Sequence, residues 1–271
     1  MTYDTFERSN YAGVPVTLYE FRLGDSAVWR YSSGTESVTL SGNVYEAMPI
    51  SNTSIVQSGD VQNDDVTITL PARTDVASLF IATPPSESIF VTLRNKHRGD
   101  EEAPVVWAGT VKTGRRKSTI EFEVICRTLT SSLNRLGVRM GWSRGCQRAL
   151  YDHNCRVDKA AFATLVQVAA KTAGTLTVPV SSFGDGYMAG GFVEFDLMAG
   201  VKDTRAIEYH VGSVIGLLTN TDGINVGDWI TVRPGCDLTS GTCLAKFGNL
   251  SNYGGFNMMP TRSPFDGNPV F

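Results

Sequence analysis

Apolar and polar residues alternate with a period of two through most of the first 128 positions, and that alternation predicts strands. Val14, Val16 and Leu18, running on to Glu20-Phe21, read as one strand; Gly24-Asp25-Ser26 reads as a turn and Ala27–Ser32 as the returning arm of a hairpin. Ser37–Leu40, Asn43–Met48 and Val66–Leu70 continue the pattern, with Val61–Asp65 as a solvated turn before the last. The spacing becomes helical at Asp75–Ala82, where Val76, Leu79 and Phe80 share a face, and Thr83-Pro84-Pro85 stops the helix. Strands return at Ile89–Arg94, Val105–Val111 and Ser118–Ile125, with Thr113–Lys117 as a basic, solvated hairpin tip between the last two. Leu129, Leu133 and Leu136 predict a short connecting helix that Gly137 ends. A second set of short strands follows at Leu165–Val168, Thr175–Val178, Gly191–Phe195, Thr204–His210, Val214–Leu218 and Trp229–Val232. Their turns (Ala173-Gly174, Gly184-Asp185-Gly186, Met198-Ala199-Gly200, Thr221-Asp222-Gly223) are glycine-rich, which suggests a small barrel or sandwich. Beyond Cys236 neither period is evident, and residues 247–256 are dense in glycine, asparagine and aromatics. The fold class is therefore mainly β with few short helices. Its parts are a β-rich N-terminal region over 1–137, a small β domain over 159–233, and a C-terminal domain made of 138–158 plus 234–271 into which that small domain is inserted.

Composition refines this only slightly. Hydrophobic residues at 42% and charged residues at 19% fit a globular chain, and a net charge of −3 argues against a broad basic face for nucleic acid. The first eight residues hold no apolar leader and no run approaches the ~18 apolar residues of a membrane span, so synthesis in a cytosol is expected. In that compartment clustered cysteines are more often ligands or catalytic groups than disulfides. Here eight residues lie between Cys146 and Cys155, six between Cys236 and Cys243, and 80 between the pairs.

Three chemistries suit such a set. Four thiolates can hold an iron–sulfur cluster. They can hold structural zinc, although gaps of eight and six form no Cys-x2-4-Cys knuckle. They can also form two disulfides or remain free thiols. No Cys-x-x-Cys redox pair is present. Cys126 reads as a small buried hydrophobe at a strand end, and His153 as a polar neighbour of Cys155. Catalytic motifs are scarce. His97, His153 and His210 fall in no His-Glu-x-x-His, and Asp64-Asp65 and Glu101-Glu102 are adjacent pairs whose side chains diverge on a strand. No enzyme is expected.

The order of motifs around the cysteines carries a resemblance. Arg144-Gly145-Cys146, Cys155-Arg156-Val157-Asp158, Phe183–Gly191, Pro234-Gly235-Cys236-Asp237, Thr242-Cys243, Phe247-Gly248-Asn249, Asn252–Phe256 and Pro260 together resemble the conserved tail protein family of siphophages and gene transfer agents. That family is similar in role to the lambda minor tail protein L. The resemblance implies a structural virion protein of the tail tip, assembled in the host cytoplasm. It implies a homotrimeric ring between the distal tail protein and the central hub, with DNA only as cargo passing through the channel. It also implies a [4Fe-4S] cluster on Cys146, Cys155, Cys236 and Cys243, with zinc as the alternative. A zinc-binding receptor module and a redox iron–sulfur protein are the competing readings.

Overall fold

A computed structural model describes residues 3–9, 13–56, 64–81, 83–134, 141–198 and 200–260 of the chain. It divides into two compact units, Met1–Arg135 with Met198–Asp203, and Leu136–Leu197 with Thr204–Phe271.

The first unit is built on β1 (Pro15–Leu23), β2 (Ala27–Ser32), β3 (Val38–Leu40), β4 (Asn43–Ala47), β5 (Ser51–Asn52), β6 (Val66–Pro71), β7 (Ile89–His97), β8 (Val105–Arg116) and β9 (Glu121–Thr128). They form one nine-stranded sheet in the order β3-β4-β2-β1-β7-β8-β9-β6-β5. The period-two expectation holds where one face is buried. Val66, Ile68 and Leu70 of β6 are 1%, 0% and 1% exposed while the residues between them are half-buried. Helix α1 (Tyr3–Glu7) precedes the sheet, and α2 (Asp75–Ser78) is shorter than the expected Asp75–Ala82. It starts where the Thr74 hydroxyl accepts from the Ala77 amide. Leu79 and Phe80 still turn back, through bonds to Asp75 and Ala77.

One expectation is corrected here. Thr113–Arg116 is not a hairpin tip but the end of β8, paired with Phe122–Ile125 after a register shift between Val111 and Thr113. Arg115 and Lys117 both pair with Glu123 across the ladder. Cys126 sits in β9, fully buried, and burial pushes its thiol far up from the usual range. Leu129–Asn134 winds as a 3-10 helix; the expected remainder of that helix, Leu136 and Gly137, lies outside the described residues, as does most of the Val61–Asp65 turn.

The second sheet is made of β10 (Thr164–Gln167), β11 (Ala170–Lys171), β12 (Thr175–Thr177), β13 (Phe192–Met198), β14 (Val201–Val211), β15 (Val214–Leu217) and β16 (Trp229–Arg233), which fall in the second unit except for Met198 of β13 and Val201–Asp203 of β14. Their order is β10-β16-β13-β14-β15-β12-β11. β10 and β11 thus occupy opposite edges of a seven-stranded sheet, yet only Val168 and Ala169 join them. Three peptide steps span at most ~11 Å, so the sheet must roll up until its edges nearly meet. The small barrel is closed over a core that includes Leu176, Met188, Val193, Ile207, Ile215 and Ile230.

Strand pairing fixes where the chain enters and leaves. β10 and β16 are antiparallel neighbours, with Thr164 opposite Val232. The segment before the barrel and the segment after it therefore start side by side. The latter contains a helix that periodicity did not predict, α3 (Ser240–Phe247), capped by the Thr239 side chain at one end and by left-handed Gly248 at the other.

Candidate metal centre

The pairing of β10 with β16 brings the two segments that carry the distant cysteines together. Cys146, Cys155, Cys236 and Cys243 line one narrow cleft. Leu150, Val157, Leu238 and Phe247 supply its apolar walls. Cys155 and Cys243 are buried, whereas Cys146 and Cys236 are half-buried, and none of the five cysteines of the chain is in a disulfide.

Each cysteine is held by its own local device. Asp152 Oδ1 accepts the amides of Asn154 (2.9 Å) and Cys155 (2.5 Å), which forms the tight turn that presents Cys155. The Cys155 amide lowers the Asp152 carboxyl from its ordinary range. The Cys146 amide donates to the Leu238 carbonyl at 2.8 Å, which ties the first cysteine segment to the second. Cys243 rides on α3, where its amide donates to the Thr239 carbonyl. Asp237 accepts from the Thr239 amide and from the Thr239 and Thr242 hydroxyls, so the Cys236–Cys243 loop is internally cross-linked. Gly235, just before Cys236, passes against the backbone of Ala189–Gly191 so closely that a Cβ there would stand 2.0 Å from the Ala189 oxygen.

The cysteine loops are also where left-handed backbone is concentrated. Of the non-glycine residues with positive φ among those described, Tyr151 (67°), Arg156 (60°) and Leu238 (64°) flank the cleft, and only Ser41 lies elsewhere. Each such residue costs of order 1 kcal/mol and persists where its surroundings over-determine it. Long-range bonds do this. Arg148 donates to the carbonyls of Asn154 and Asn252, both at 2.7 Å. Tyr151 donates to Pro234 O at 2.8 Å, and Tyr253 to Arg144 O at 2.6 Å.

Among the described residues, N–H donors reach three of the four sulfurs. The Leu238 amide donates to Cys236 Sγ and the Gly254 amide to Cys146 Sγ, each at 3.3 Å, and Asn249 Nδ2 reaches Cys155 Sγ at 3.8 Å. Burial, together with the neighbouring sulfurs, raises the thiol pKa of Cys236 and Cys243. These sulfurs stay protonated at neutral pH unless a cation takes the proton's place. Lys246 lies beside the loop, its ammonium donating to Tyr187 O and Gly235 O and resting 4.1 Å from the Tyr187 ring centroid. Desolvation lowers its pKa.

This donor set suits a soft, thiolate-loving group. Among the described residues, however, no three His, Cys, Asp or Glu side chains are gathered tightly enough to hold a single metal ion. Four sulfurs on one zinc would stand roughly 3.8 Å apart, from Zn–S bonds of about 2.3 Å. The other sequence candidates do not join the set. His153 is exposed, Cys126 belongs to the first unit, and His97 and His210 are buried with Nε2 on Glu7 Oε1 (3.1 Å) and Gly212 O (3.0 Å). Sequence reasoning missed Asn249 and the Leu238 and Gly254 amides. Thr239 followed nine residues later by Gly248 was the available signal for the helix that places the first of these.

Over its full length the chain is similar to a protein of the solved virion of a native gene transfer agent particle, with a TM-score of 0.79, 19% identity and 99% of each chain covered. It is also 24% identical over 168 residues to an uncharacterized protein of Xylella fastidiosa (strain 9a5c), and spans about a third (35%) of that relative's length. Residues 186–263 match the family described as phage conserved hypothetical protein BR0599. Residues 12–158, more than half of the chain, match the family described as baseplate hub protein, N-terminal attachment domain. The chain belongs to this baseplate hub family, which makes it a structural phage tail protein of the baseplate and a constituent of the virion.

Proposed function

We propose that the protein forms part of the tail tip of a long, non-contractile, siphophage-type tail. In this reading it is a homotrimeric ring between the distal tail protein and the central hub, with DNA passing through the channel, and it performs no catalysis. Cys146, Cys155, Cys236 and Cys243 hold an iron–sulfur cluster, [4Fe-4S], that clamps the two segments flanking the barrel. When bound, the group supplies four strong thiolate bonds between stretches 80 residues apart. The chain's own residues orient the sulfurs through Asp152, Asp237 and the amides of Leu238 and Gly254.

The observation that carries the metal reading is the convergence of four free thiols on one cleft. A cuboidal cluster suits four thiolates because each binds a different iron. Baseplate hub family membership supports the tail reading. The test is anaerobic purification followed by iron, acid-labile sulfide and visible absorbance. About four iron and four sulfide per chain with a broad band near ~400 nm is expected. One zinc per chain, or no metal, overturns the cluster. Mass photometry of the purified protein, alone and with its distal tail protein, tests the ring; a monomer under both conditions overturns it.

A further inference from the structure

We propose that Asn249 is a positioning residue for the metal centre and sets its reduction potential through Cys155. This rests on the iron–sulfur reading above.

Asn249 is a polar side chain only 9% exposed, directly after the Gly248 cap of α3. Its backbone amide donates to the Cys243 carbonyl at 3.0 Å, so it is anchored to the second cysteine pair. Its Nδ2 donates to the Cys155 carbonyl at 2.5 Å and reaches Cys155 Sγ at 3.8 Å, so the same residue grips the first pair. The orientation of the amide is fixed from behind, because Asn252 Nδ2 donates to Asn249 Oδ1 at 2.7 Å. Rotating the amide by half a turn would set Oδ1 against the Cys155 carbonyl and leave Asn252 Nδ2 facing another donor. The Leu238 and Gly254 amides that serve Cys236 and Cys146 are backbone groups. Asn249 is thus the sulfur donor that a substitution can remove. Hydrogen bonds to cluster thiolates drain negative charge from the sulfur and favour the reduced state.

The experiment uses the full chain, purified anaerobically, with iron and sulfide counted and the midpoint potential titrated optically and by EPR. Asn249→Asp keeps the shape, removes the donor and places a carboxylate at Cys155. With iron and sulfide equal to the parent, its potential is expected to fall so that the oxidised-to-reduced ratio at a fixed potential rises at least tenfold, 59 mV for one electron. Asn252→Ala, which frees the Asn249 amide without touching a sulfur, should shift the same way by less. A cluster-loaded Asn249→Asp with a ratio within twofold of the parent overturns the inference while leaving the cluster reading intact. If Asn249→Asp does not load, Asn252→Ala decides by the same twofold criterion. A parent without iron and sulfide overturns both.

Discussion

Replacing Gly235 by alanine tests how the cysteine loop is seated on the barrel, independently of any bound group. A Cβ at position 235 would stand 2.0 Å from Ala189 O, 2.1 Å from Gly190 C and 2.2 Å from Gly191 N. All three are backbone atoms, so no rotamer change relieves them. The two segments must separate by about 1 Å or more before the contact becomes tolerable, since real Cβ atoms essentially never approach closer than 3.0 Å. Overpacking of this kind, with rigid backbone on both sides, costs ~2–4 kcal/mol. The displacement also passes to Cys236, the next residue, and to the Gly235 carbonyl, which accepts from Lys246 at 2.7 Å. Gly241→Ala is the control. Its Cβ would meet nothing nearer than Thr239 Oγ1 at 4.0 Å, and it lies in α3, where alanine stabilises by ~0.5–1 kcal/mol. Thermal and urea unfolding of both variants and the parent would measure this, with a Tm drop on the order of 10 °C expected for Gly235→Ala. Stability within ~0.5 kcal/mol of the parent for Gly235→Ala, or an equal loss for Gly241→Ala, would refute the close-approach argument.

Cys236→Ser should lose the metal and loosen the segment after the barrel, whereas Cys126→Ala should keep the full metal content, because Cys126 is buried in β9 of the other unit; elemental analysis and limited proteolysis distinguish them. Thr239→Ala removes the side-chain cap that accepts from the Thr242 amide at 3.2 Å and should cost ~1 kcal/mol, read as faster amide exchange in the first turn of α3. Glu20 gives an acid-dependent contribution. Desolvation raises its carboxyl, but the stronger pull of Arg30 and Arg22 leaves it below the ordinary 4.5. A depressed carboxyl stabilises above the unfolded value and loses that stability as pH falls from about 4.5 through the folded one. The pair is partly exposed, so Glu20→Gln should flatten the acid limb of the stability curve by ~0.5 kcal/mol or less; a limb steeper than the parent's would contradict the assignment.

Strand positions were legible in the chain because each strand has one face toward a core, and that demand writes Val66, Ile68 and Leu70 two residues apart. The basic stretch after Val111 was misread for a related reason. The run is solvated, as its charge implies, but its place in the ladder depends on residues of the neighbouring strand such as Glu123, which pairs with Arg115 and Lys117. Helix α3 escaped periodicity because Cys243 is its only buried residue, so no apolar stripe marks it; its caps, Thr239 and Gly248, were the readable trace.

The sequence by itself determined the donor chemistry: four thiols in two pairs, set among turn-forming residues, with 80 residues between the pairs. That the pairs meet was an expectation from the order of the motifs around them, and nothing in the spacing showed how. Tertiary structure fixed how they do, because β10 pairs antiparallel with β16, the last strand of the sheet, and that pairing sets Thr164 beside Val232. The 80-residue gap then spans almost no distance, and the second pair returns to the first at the mouth of the barrel. The donors on the sulfurs were decided in the same way, since a backbone amide such as Leu238 or Gly254 has no signature in sequence until the fold aims it.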